Sequence, residues 1–318
     1  MVVVLSVAAA AAAAAAATSP PPPHPPPPSL GSFSVSAVLL LALLAEYSAE
    51  LAAKKGKLDT DPHLWMPMTL PKAAYVELMG QKGVDAAEAE AHHDRTAAML
   101  KANALESADV LAAVDVGDAA YWWDYGQLRL YAKFVLGATG ADGDAEAAMM
   151  RRFYGIGPDR GLGASAVDAA AVAVSGGACV CASALGAGAV DGSVLMNVCA
   201  LDVQATGAVL VNVTARKIRA AKGAVLYNVI DDSEEGIDLG PGDVRVGVFD
   251  ADGAAYIMNS NQDDHDGGQV WKTAVMGNPH SFEAVYKANA DADISAIDAA
   301  ARAKHEAARE GLGLKIPA

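Results

Sequence analysis

"GSVLMNVCALDVQATGAVLVNVTARKIRAAKGAVLYNV", residues 192–229, states one motif three times. Gly-small-Val-Leu-x-Asn-Val opens at Gly192, Gly207 and Gly223, at intervals of 15 and 16 residues. Alignment on the glycine adds "GACVCAS" from Gly177 and "GDVRVGV" from Gly242, 15 residues before and 19 after; the longer interval carries the acidic "DDSEEG". Within each unit alternate positions are apolar, as in Cys179 and Cys181, Val194 with Met196 and Val198, Val209 with Val211 and Val213, Val225 with Tyr227 and Val229, and Val244 with Val246 and Val248. A period of two reads as a strand with one buried face. A shorter strand recurs at Val203 with Ala205 and at Ile218 with Ala220.

Such repeats are the mark of a β-solenoid, in which no coil buries its valines until the next one stacks about 4.8 Å above it. The reading predicts one continuous stack over 177–248, with Val209, Val211 and Val213 inside. Glycine stands at the turns, and Asn197, Asn212 and Asn228 fall in register to bond along the axis. An antiparallel meander is the alternative, but it does not require Asn and Gly to keep register.

The rest of the chain is read around this stack. Its 318 residues are 53% apolar but only 6% aromatic, so alanine supplies much of the apolar count and burial per residue is modest. A net charge of −15 argues against nucleic acid and anionic membrane as partners. Three cysteines, Cys179, Cys181 and Cys199, make neither a disulfide framework nor a four-ligand zinc site, and read as reduced core side chains. Residues 1–30 join an apolar run, polyalanine and polyproline; without a Lys or Arg ahead of the apolar run, they read as a low-complexity or targeting segment. That lead fits a cytoplasmic or plastid-type location better than secretion.

The apolar stretch that follows is too short for a stable membrane span. It predicts a helix over 36–55, entered from a strand at "GSFSVS". Further helices are expected at 85–102, 126–137 and 145–156, with a boundary at 160–175. Residues 251–318 read as an acidic loop and a helical tail with an amphipathic face.

"YWWDYGQLRLYAKFVLGATG" (121–140) resembles the segment that closes the catalytic domain of sugar-phosphate nucleotidyltransferases, the family that includes ADP-glucose pyrophosphorylase. There the pattern Tyr/Trp-x-Asp-x-Gly is a strand, a helix follows, and a left-handed β-helix often comes after; "LGSFSVSAVLLLALLAEY" is similar to that family's late strand and helix. The resemblance implies an α+β chain: an α/β nucleotidyltransferase-like remnant over 31–160, a single-stranded solenoid over 175–250, and a C-terminal helix. It implies a sugar nucleotide as ligand, Asp124 holding Mg2+, and Ser34 and Trp123 on the substrate. The family's Gly-x-Gly-x-Arg-x-x-Pro-Leu loop has no match in residues 1–60, so a truncated enzyme is expected, and a non-catalytic solenoid module for assembly or regulation is the alternative. "GIGPDRGLG" (155–163) follows a helix rather than a strand, which speaks against a phosphate loop.

Remaining candidates carry weaker signals. All seven histidines lie outside 175–250, against an acyltransferase with its base between coils. "NQDDHDGG" (261–268) reads as a solvated acidic turn, His92 and His93 as surface residues, and Asp59, Asp61 and His63 as part of a packed wall. Unpaired solenoid edges and the amphipathic tail together predict a homo-oligomer.

Overall fold

A computed structural model describes residues 35–54, 64–105, 121, 123–250, 252–263 and 271–317. The chain divides into two compact units between Trp122 and Trp123, upstream of the break expected at 160–175.

In the first unit all regular structure among the described residues is helical: α1 (Ala37–Glu46), α2 (Ser48–Ala53), α3 (Met66–Thr69), α4 (Lys72–Gln81) and α5 (Ala86–Ala102). The α/β remnant expected over 31–160 includes 31–34, 55–63, 106–120 and 122, which lie outside the described residues. Ser36 ends the lead-in by capping α1, its hydroxyl accepting from the Leu39 N–H at 3.2 Å, and Asp85 caps α5 in the same way. The helices bury Leu39, Leu43, Tyr47 and Met99 in one cluster and Leu70, Tyr75 and Met79 in another. No helix among the described residues is long and apolar enough to cross a membrane.

The second unit opens with α6 (Leu128–Leu136) and α7 (Ala145–Phe153), then builds the solenoid from β1 (Ala166–Val167), β2 (Val172–Ser175), β3 (Cys179–Cys181), β4 (Ala184–Asp191), β5 (Val194–Thr206), β6 (Val209–Ala220), β7 (Val225–Asp231), β8 (Ile237–Leu239) and β9 (Asp243–Phe249). Cys179, Val194, Val209, Val225 and Val244 stack in one column through parallel pairs, which excludes the meander. The chain is α+β, with a β-solenoid and a helical tail, α8 (Phe282–Ala288) and α9 (Ile294–Leu312). A final strand, β10 (Ala255–Asn261), pairs antiparallel with β9 and ends the stack.

The asparagine register holds. The Asn197 amide donates to Asn212 Oδ1 at 2.7 Å, the Asn212 amide to Asn228 Oδ1 at 2.5 Å, and Asn228 to the Gly247 carbonyl at 3.0 Å. Each of the three also sits at positive φ, between 52° and 57°, a left-handed conformation that Asn tolerates better than other side-chain-bearing residues. The repeat glycines Gly192, Gly207 and Gly223 make the other turn, also at positive φ, where a Cβ would be strained.

That left-handed corner corrects one expectation. Ladder pairing skips Asn212 and again Arg216, so a coil is three short runs rather than one long alternation. Ala208 and Leu210 point inward before the corner, Val213 and Ala215 after it, and Ile218 and Ala220 after the second bend; all six belong to the solenoid core. Val209 and Val211 point outward, into a separate cluster with Ala132, Val135 and Met150 of α6 and α7. Val211 is not inside with Val213, because Asn212 shifts the alternation by one position.

Replacing Asn212 with Ala is expected to cost roughly 2–4 kcal/mol, from two lost ladder bonds and a Cβ at positive φ without the local amide. Gly at the same position should recover about 1 kcal/mol of that. Urea midpoints of the three proteins check both; an Ala variant as stable as the parent would remove the ladder from the account.

The three cysteines are free, Cys179 and Cys199 buried and Cys181 half-buried. Burial pushes their thiols up, Cys181 to about 11, so all three stay protonated and unreactive near neutrality.

Candidate functional site

The outer faces of the three runs have different fates. The Val209–Val211 face carries α6 and α7. The Thr214 face receives α9. The third is charged, with Asp202 accepting from Arg219 at 2.5 Å.

Where the first face passes α6, the last coils leave a cavity of about 480 Å3. Its floor is Val225, Tyr227, Val244 and Val246; one wall is Tyr125 to Leu128 with Tyr131, and the other is Trp271, Val275 and Phe282. The geometry follows from local sequence. Asp124 Oδ1 accepts from the Gly126 N–H at 2.7 Å, an Asp-type turn that sets Gly126 on the wall just before α6 begins. Tyr125 then lies edge-on to Tyr131 and Phe134, with ring centroids 6.0 and 6.2 Å apart, and its hydroxyl pairs with that of Tyr154 at 2.7 Å.

Chemically the cavity is aromatic, and among the described residues none that lines it carries a charge at neutral pH. Burial, reinforced by Tyr227 and Tyr125, raises the Tyr131 hydroxyl to about 12, so it stays protonated. Such a site can stack flat rings and hydrogen-bond their edges through tyrosine hydroxyls, Gln127 and Ser260.

The residues singled out in the sequence are only partly brought together. Ser34 lies outside the described residues, as do Trp122, Asp59, Asp61, His63, Asp264, His265 and Asp266. Trp123 and Asp124 are half-buried beside the cavity and line no part of it. Neither is in a strand. Trp123 donates its indole N–H to Glu146 at 3.1 Å and packs against Phe153. Asp124 does not cap α6, whose N-cap is Gln127. Among the described residues no group of three or more His, Cys, Asp or Glu side chains converges as a metal site would. The histidine pair departs from the surface reading: His92 stacks on Tyr47 and Tyr75, and His93 Nε2 meets the Leu70 carbonyl at 3.1 Å.

Sequence reasoning missed the polar seat of the C-terminal helix. His305 is buried against the solenoid, its Nδ1 3.0 Å from Thr214 Oγ1, and Arg309 donates to both Thr214 and Asn197. Arg309 thus caps the asparagine ladder at its first rung. The pairing spans about 90–110 residues, and no local pattern marks it.

No family model, curated protein or solved structure matches the chain.

Proposed function

We propose that the chain is a sugar-nucleotide-binding protein of the nucleotidyltransferase kind, with the aromatic cavity on the solenoid as the seat for the ligand's ring. One observation supports this reading above the others. The segment that resembles the nucleotidyltransferases, Tyr125 to Leu128, is itself a wall of the cavity. A base or pyranose ring stacks on Tyr125, Tyr227 or Trp271, and the diphosphate, which an uncharged lining does not neutralise, stays toward solvent. Asp124 at the neighbouring turn would be the protein ligand for Mg2+, which would neutralise the diphosphate.

The alternative, a non-catalytic module for regulation or assembly, is favoured by the same uncharged lining, which offers ring binding without an acid–base pair. Calorimetric titration of the full chain with ADP-, UDP- and GDP-sugars, with and without Mg2+, tests the reading. Saturable binding is expected, weakened roughly ten-fold or more by Trp271→Ala, since stacking of a base on an aromatic ring is worth about 1–3 kcal/mol. Asp124→Asn, which keeps the Oδ1 bond to Gly126, should abolish only the Mg2+ dependence. Pyrophosphate exchange into the bound nucleotide decides between enzyme and module. No binding of any of the three sugar nucleotides would sink the proposal and leave the assembly module.

A further inference from the structure

The two ends of the solenoid are finished differently. At the far end β10 closes the stack antiparallel, and its own outer edge is blocked at Asn259 by a side chain. Asn278, 7% exposed, accepts from the Asn259 N–H at 2.8 Å and donates to the Asn259 carbonyl at 2.7 Å, as a further strand would. At the near end β2 pairs with β4 alone among the described strands. The Gly188 N–H donates to the Ala171 carbonyl and the Gly192 N–H to that of Ser175. Strand alternation therefore turns the Val174 N–H and C=O away from β4, along the open edge.

Among the described residues β2 itself carries no side chain that discourages pairing; the carboxylate beside it, Asp191 on β4, is held by the Ser175 hydroxyl at 2.8 Å. Ala173 and Ser175 are exposed. Residues 169–190 contain no charged side chain and no proline, in a chain with 38 acidic and 23 basic residues; such devices ordinarily protect edges. Val167 and Val174, at this end of the core, remain only partly buried.

We propose that β2 is the contact by which two copies of this chain form a closed, head-to-head dimer. A second copy fits for three reasons. Val174 can exchange both of its outward hydrogen bonds with Val174 of a two-fold-related copy, an isologous antiparallel pair. A charge-free strip is where two copies, each at −15, meet with least repulsion. The far end, closed by β10 and Asn278, stops growth at two rather than permitting a fibre. Val167 and Val174 are covered in the process. The inference is independent of what the cavity binds.

The short edge makes a small interface, so the dimer should dissociate in the micromolar range. Sedimentation velocity of the full chain from about 1 to 100 μM is expected to show a species of twice 32.3 kDa growing in with concentration. Val174→Pro removes the outward N–H without touching the bonds to β4, and Ala173→Asp puts a carboxylate opposite Ser175 of the second copy, whose hydroxyl already holds the Asp191 carboxylate. Both should be monomeric throughout, with circular dichroism unchanged for Ala173→Asp. A wild type that stays monomeric at the highest concentration overturns the proposal, as does a dimer that survives Ala173→Asp.

Discussion

Leu210→Asp is expected to abolish the solenoid, with loss of the β signal in circular dichroism and of slow amide exchange across 194–229. Leu210 is fully buried in the core between coils, stacked on Leu195 below and Leu226 above. A carboxylate there has no described partner, and burying it costs several kcal/mol, comparable with a domain's whole margin of stability. Even the neutral truncation Leu210→Ala should cost about 2–5 kcal/mol, for the lost transfer energy and the void together. The neighbouring Val211→Thr is the control. Val211 is half-buried on the outside, under α6 and α7, and a hydroxyl there should cost about 1 kcal/mol. Equal damage from the two changes would mean that the inside and outside of the coil have been assigned wrongly.

The second large effect is pH-dependent. His305 is held neutral by burial first, and by the Arg309 guanidinium second, which lower its pKa to about 4 from 6.5. Its Nδ1 faces Thr214, its Nε2 is buried without a partner among the described residues, and the Phe249 ring is 6.1 Å away. A proton therefore adds a second cation beside Arg309. Because the folded pKa is depressed, the unfolded chain binds more protons between pH 6.5 and 4. The contribution is fully present above pH 6.5, declines as pH falls toward 4, and changes no further below. The span corresponds to about 3 kcal/mol. Urea midpoints at pH 7 and pH 4 should fall further apart in wild type than in His305→Leu, which lacks the titration. Identical pH profiles in the two proteins would show that His305 is not buried against Thr214.

The coils were legible before any coordinates because their cause is local and repeated. The spacing of Gly177, Gly192, Gly207, Gly223 and Gly242, together with the recurring Asn, specifies stacking, since only stacked identical coils bring the three amides into bonding distance. The helices over 86–102, 128–136 and 145–153 were legible too, expected at 85–102, 126–137 and 145–156; their capping aspartates, Asp85 and Asp144, went unread. Other features were not. Alternation alone put Val211 beside Val213, because a period of two assumes an unbroken strand. The left-handed φ of Asn212 breaks it, although the Asn itself was the available warning. Helices α3 and α4 went unread because "MPMT" and the run after Pro71 carry weak amphipathic signals.

What the sequence by itself determined is the solenoid: its register, its asparagine ladder and its acidic bulge at "DDSEEG". What only the tertiary structure decided is what covers each face of it. Which apolar positions become core, which support α6 and α7, and which residues wall the aromatic cavity depend on contacts between distant segments. The joining of His305 and Arg309 to Thr214 and Asn197 is the clearest case. Stacking energy is written into each repeat, whereas docking energy belongs to pairs of segments whose separation along the chain leaves no periodic trace.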